Sequence, residues 1–227
     1  GGASIDAAKA VAHEMNLPVI VIPSTVATDG PGSALAVIYN DDGVFESYLY
    51  LRRNPDCVLV DTEIIANSPV KFLVAGMGDA LGTCWEARTS IKSGKPNAFS
   101  GGQTPTLAVQ ALAELCYATL LKSGLQAKIA VELNRVTPAV EAIVEANTLI
   151  SGLCSENAGH AAAHSIHNGF TILSATKQKM HGEKVAFSLL AQLVLEGQLS
   201  KDILEVQEFC SNVGLPVCLA DLNLAKV

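Results

Sequence analysis

Ala161–Val185 reads AAAHSIHNGFTILSATKQKMHGEKV and holds three of the five histidines in the chain. His164 and His167 are spaced i,i+3 on what reads as a helix ended by Gly169. His181 follows a non-periodic stretch and opens a second apolar helix, HGEKVAFSLLAQLVL. Two imidazoles on separate helix segments, joined by a carboxylate from elsewhere, make a three-ligand divalent-metal site with an open position. The same spacing also suits histidines packed in a core or lying on the surface. The remaining motifs have to decide between these readings.

Composition narrows the field. Hydrophobic residues make up 49% of the 227 positions and charged residues only 16%. No apolar run reaches the length of a membrane span, because charges and prolines interrupt each one. The apolar excess therefore implies helices buried on most sides, or buried subunit contacts in a homo-oligomer. A net charge of −7 argues against a nucleic-acid surface, which needs a basic patch. Cysteines 57, 84, 116, 154, 210 and 218 stand singly in apolar segments with no CxxC pair, so a zinc ribbon is not expected. Reduced thiols packed as small hydrophobes, in a cytoplasmic protein with no signal peptide, are.

Read in order, Gly1-Gly2-Ala3-Ser4-Ile5-Asp6 is a glycine turn opening a helix, with Ser4 placed to cap it and Asp6 in its first turn. Such a turn normally follows a buried strand, so the sequence is expected to be a fragment of a longer polypeptide. A helix start of this kind favours anions, although many glycine turns bind nothing. Val19–Ile22 reads as a short buried strand, followed by the small-residue loop PSTVATDGPGS from Pro23 to Ser33. A loop at the carboxyl end of an α/β strand is where ligands usually sit. Alternation over 34–39 and 45–51 around Asp41-Asp42-Gly43 predicts a hairpin, and Cys57–Val60 a further strand. Beyond about Ser68 no convincing strand pattern remains, and the chain becomes Ala- and Leu-rich helices. The expected division is 1–68, α/β, and 69–227, all-α. In the second part Asp79 is an acid in an apolar helical run, costly to bury unless it meets a cation or metal. Glu86 and Arg88, further along, read as solvated or paired. Lys122-Ser123-Gly124 reads as the close of a helix begun at Thr104-Pro105, and Thr137-Pro138 starts the next.

These residues resemble the iron-containing alcohol dehydrogenases, on their glycerol-oxidising branch. The resemblance is carried by GGASIDAAKAV, PSTVATDGPGSALAVIYN, GMGDAL followed by WEAR, ALAELCYATLL, TPAVEAIVEANTLISG, AAAHSIHNG and HGEKVAF, in that order over essentially the whole chain. It implies an NAD-dependent enzyme oxidising glycerol to dihydroxyacetone, and related vicinal diols. The implied architecture is that of dehydroquinate synthase: a Rossmann-like nucleotide-binding domain, here only a remnant, followed by an all-α metal-binding domain. The implied metal ligands are Asp79, His164 and His181, holding Zn2+, with Fe2+ accepted by the same set. The pyrophosphate of NAD would lie on Gly1, Gly2, Ala3, Ser4, Ile5 and Asp6. Ser24, Thr25, Ser33, Leu35 and Tyr39 would line the rest of the cofactor cleft, and Asp29 would hydrogen-bond the polyol.

A secondary alcohol is too weak an acid to lose its proton unaided at neutral pH, and a divalent metal lowers that barrier. His167, one turn from His164, can support a ligand, relay a proton or simply pack. His160 lies i,i+4 from His164, and spacing alone would nominate it as a ligand; the family pattern has no histidine there, which ranks it below His181. Where many iron-type relatives carry a fourth ligand, four residues after the aspartate, this sequence has Thr83. That favours the three-ligand branch. The rival readings are an sn-glycerol-1-phosphate dehydrogenase or a dehydroquinate synthase-like enzyme, which would want Lys177, Lys179 and Lys184 near the metal, and a metal-binding segment without catalysis of its own.

Overall fold

In the computed structural model, which describes residues 2–41, 43–97, 99 and 101–224, a single helix forms the axis of the molecule. This helix, Val70–Ser93, is buried without a break from Leu73 to Ala87. A helix apolar on every side must be surrounded, and α-helices pack around it on all faces. Its end is set by Gly94, whose φ of +64° accepts the left-handed conformation.

The chain begins with α1 (Gly2–Met15), which packs on a hairpin formed by β2 (Leu35–Tyr39) and β3 (Phe45–Tyr50). Short strands β1 (Ile20–Val21) and β4 (Cys57–Val58) pair in parallel as a separate two-stranded sheet. The crossover between them is the loop over 22–34 and the hairpin, rather than the helix usual between parallel strands. Asp61 caps α2 (Thr62–Ala66), accepting from the backbone of Glu63 and Ile64, and α3 is the axial helix. Then follow α4 (Leu107–Glu132), α5 (Pro138–Glu145), a π-helical turn (Ala146–Ile150), α6 (Ser151–Ala158), α7 (Ala162–Phe170), α8 (His181–Leu195) and α9 (Ser200–Val213). Thr137 caps α5 and Pro138 occupies its first turn, as their sequence implies. Among the described residues, no helix is long and apolar enough to cross a membrane.

Several local expectations need correcting. Ser4 does not cap α1, because the helix already begins at Gly2, and Asp6 falls beyond its first turn. Gly124 does not end a helix: α4 continues to Glu132, and a Cβ at Gly124 would stand 2.8 Å from the Phe209 ring and 3.1 Å from Met77 sulfur. Its small size admits α9, not a chain reversal. Gly169 likewise lies within α7, which closes at Phe170. Val26 and Ile65 belong to the same apolar cluster as Met77, Leu120, Ile143 and Leu189. Each fully buried side chain of that size contributes roughly 1.5–3 kcal/mol.

Candidate metal centre

Two glycines bring the site together. Gly78 on α3 and Gly182 on α8 face one another so closely that a Cβ on Gly78 would lie 2.4 Å from the Gly182 carbonyl oxygen. A Cβ on Gly182 would lie 1.7 Å from the Ala75 carbonyl oxygen. The helices therefore cross backbone to backbone, and the neighbours of these glycines, Asp79 and His181, meet. His181 Nε2 stands 3.0 Å from Asp79 Oδ1. His164, in the first turn of α7, brings its Nε2 to 3.3 Å from the same oxygen. Ligand atoms of Asp79, His164 and His181 all lie within 4.8 Å of one another, a spacing that one cation can span.

The outward nitrogens are held as well. His164 Nδ1 meets the Glu86 carboxylate, and His181 Nδ1 lies 3.1 Å from His167 Nε2. Two facing ring nitrogens bond only if one carries the proton. With His181 Nε2 free of a proton, His181 Nδ1 donates to His167, and His167 Nδ1 then donates to Asn168 Oδ1 at 3.2 Å. Asn168 Nδ2 passes the chain on to the Tyr48 hydroxyl at 3.1 Å. The donor set is thus a carboxylate oxygen and two imidazole Nε2 atoms, each ring oriented from behind, which suits a divalent metal.

Electrostatics point the same way. Burial opposes ionising Asp79, yet His181 and His164 outweigh it and hold the carboxyl well below the usual range. Burial also opposes charging His164, but Glu86 and Asp79 raise its pKa well above the ordinary value. Glu86 is brought down to about 2: His164 outweighs the burial that works against its ionisation. Asp29 goes the other way, pushed up to about 7 by burial and by the Asp79 charge. Its backbone N–H donates to Asp79 Oδ2 at 3.2 Å, and its own Oδ2 accepts from Ser151 Oγ at 3.1 Å.

A cleft of about 320 Å³ opens beside these groups. Asp79, His164 and His181 line it, with Asp29 and Tyr48. Of the residues expected to hold a dinucleotide, Gly2, Ala3, Asp6, Thr25, Ser33, Leu35 and Tyr39 also line it. Ser4, Ile5 and Ser24 border an adjoining groove of about 210 Å³ that shares Gly2 and Thr25. Gly1 lies outside the described residues. His167 does not face the cleft; it is buried behind His181. His160 does face it, but its Nε2 bonds Ser155 Oγ at 2.7 Å and its ring stacks on His164 at 3.8 Å. Glu86, His160 and His164 form a second group with ligand-like spacing, although the Nδ1 of His164 is already taken there by Glu86.

Sequence reading missed the roles of three groups. Of the two readings of Glu86, solvated or paired, the second holds: it is fully buried and paired with His164, a partner that its position seven residues after Asp79, two turns along one helix face, could have suggested. Lys9 is 1% exposed and donates to the Gly30 carbonyl at 2.8 Å, tying α1 to the loop that carries Asp29. Asn147, in the π-helical turn, donates to the carbonyls of Val26 at 3.2 Å and Leu73 at 3.1 Å, pinning the same loop to α3. Such turns often mark functional regions.

Fold and site together place a carboxylate and two imidazoles, spaced as one cation could span, beside a small-residue loop. Residues 1–69 match the family model described as iron-containing alcohol dehydrogenase. The chain is 53% identical over its whole length to a glycerol dehydrogenase of Thermotoga maritima, and spans 62% of that protein. It is 51% identical to a glycerol dehydrogenase of Citrobacter freundii, over 99% of this chain and 61% of the relative. The crystal structure of glycerol dehydrogenase from Schizosaccharomyces pombe superimposes with a TM-score of 0.96 at 42% identity, covering 100% of this chain and 57% of that one. The chain therefore spans about three fifths of the length of the relatives it matches.

Proposed function

We propose that these residues form the metal-binding and substrate-binding part of an NAD-dependent glycerol dehydrogenase, which oxidises the secondary hydroxyl of glycerol to give dihydroxyacetone. The observation that carries this reading is the convergence of two Nε2 atoms on Asp79 Oδ1 at the wall of a cleft shared with the start of α1 and the loop from Thr25 to Ser33. Glycerol dehydrogenases are among the relatives matched over 99–100% of this chain.

Asp79, His164 and His181 would hold one divalent ion, with zinc the best match to a carboxylate and two imidazoles and iron the second choice. When bound, the ion supplies the Lewis acidity that makes a secondary alcohol lose its proton near neutral pH. Thr83, buried one turn beyond Asp79, offers no imidazole, in keeping with a three-ligand site. His167 would keep His181 in the Nδ1–H form and, through Asn168, connect it to the Tyr48 hydroxyl at the cleft. The start of α1, together with Ser24, Thr25, Ser33, Leu35 and Tyr39, would carry NAD. In this reading residues 1–68 are the end of the nucleotide-binding domain and 69–227 the metal-binding domain. The phosphate-handling alternatives are disfavoured, because none of Lys177, Lys179 and Lys184 lines the cleft. NADH formation from glycerol, lost on metal depletion and restored by zinc, tests the whole proposal; its absence from replete protein refutes it.

Asp29 would orient the polyol. Its tie to Asp79 runs through the backbone N–H, which Asp29→Asn leaves in place. Turnover of glycerol should therefore fall about a hundredfold, the scale expected for a misplaced reactant, while metal content by elemental analysis stays unchanged. Loss of metal would make Asp29 a ligand instead.

A further inference from the structure

We infer that Glu86 is a positioning residue that fixes which nitrogen of His164 faces the metal. It rests on the metal site proposed above, but its argument is geometric. The Glu86 side chain is 0% exposed, and every hydrogen bond it makes goes to the start of α7. One oxygen accepts from the backbone N–H of Ala161 at 2.8 Å and of His164 at 2.9 Å. The other faces His164 Nδ1. An ionised carboxylate can only accept, so Nδ1 carries a proton toward Glu86, and Nε2, turned to Asp79 Oδ1, is the nitrogen that would give up its proton to a metal.

The same carboxylate thus sets the tautomer, the ring plane and the position of the helix that delivers the ring. Because Asp79 and Glu86 lie two turns apart on one buried face of α3, a single rigid helix supplies a ligand and holds another. On the far side of the centre His167 plays the equivalent part for His181. Outer partners of metal-bound histidines raise their basicity and fix their orientation.

Glu86→Gln makes a specific test. The amide keeps the shape, and its oxygen can still accept from the two backbone N–H groups. Its NH2 group would then face Nδ1 as a donor, which forces the imidazole proton onto Nε2, the nitrogen the metal needs. Zinc affinity, measured by chelator competition, should fall by about 10–100-fold, the range for loss of such a partner. Melting in excess chelator should fall far less than zinc affinity does, because only the charged pair is lost, and the slowly exchanging Nδ1–H of His164, read by long-range 1H–15N correlation, should be lost. Wild-type zinc affinity in the variant overturns the inference. So does an affinity loss matched by an equal loss of metal-free stability, which would make Glu86 a helix cap and nothing more. If the variant does not fold, the wild type decides, because absence of a protected Nδ1–H there is equally fatal. Failure of the wild type to bind zinc would sink the metal reading alone, and the Nδ1–H signal would still decide Glu86's hold on His164.

Discussion

His181→Ala is expected to release the metal and with it the ability to oxidise glycerol. The substitution leaves Asp79 Oδ1 and His164 Nε2, a two-ligand site, and removes the group that neutralises Asp79 most strongly. The affinity loss should exceed the roughly 10–100-fold that an outer partner commands, so protein purified without added metal should contain almost none. NADH formation should fall in step with metal content. Excess zinc should restore it only partly, because the ligand geometry is gone. His160→Ala is the informative contrast. It removes a ring stacked 3.8 Å from His164, so it loosens the packing, but Nε2 of His160 is committed to Ser155. A loss of less than about tenfold is expected, below that of an outer partner that bonds a ligand directly. Elemental analysis and the NADH assay on both proteins settle the matter. An empty site in His160→Ala beside a full and active one in His181→Ala would show the ligand set to be wrong.

How far the sequence could be read follows from the range over which each signal acts. His181 at the head of an apolar helix, Thr137-Pro138 at the start of α5 and the hairpin over residues 35–50 are local patterns, and each appears where its residues imply. Asp79 was conspicuous because a lone acid in an apolar helix has to meet a cation. Glu86 carried no such local mark. It sits between Trp85 and Ala87 but two residues before Arg88, a ready local partner, and its actual partners are Ala161 and His164, 75 and 78 positions away.

Glycine was the least legible residue. Sequence can place a glycine at a helix end, as at Gly94 and Gly214, both left-handed. It cannot distinguish that use from a helix interior pressed against another backbone, as at Gly78, Gly124 and Gly182. The π-helical turn was equally hidden. Nothing in ANTLI announces an extra residue per turn, and what holds Asn147 there is its pair of bonds to Val26 and Leu73 in two other segments.

Gly182→Ala should therefore damage this protein more than most single-atom additions to a core. Its Cβ would fall 1.7 Å from the Ala75 carbonyl oxygen and 2.9 Å from the Asp79 amide nitrogen. Both are backbone atoms of a buried helix and cannot swing aside as a side chain would. α3 and α8 must separate, and Asp79 and His181 separate with them. Overpacking of a core commonly costs about 1–3 kcal/mol, and the rigid neighbours here place the expected loss at or above the top of that range. Metal content should drop in the same variant, since the ligand spacing is set by the crossing itself. Gly169→Ala supplies the control: nothing lies within 4 Å of its Cβ position, and the residue is inside α7. There the helix should gain roughly 0.5–1 kcal/mol from the lower entropy of the unfolded chain. Urea unfolding of the two variants, in chelator and in zinc, reads both terms. A Gly182→Ala protein as stable as wild type and fully loaded with metal would mean that the close crossing does not assemble the site.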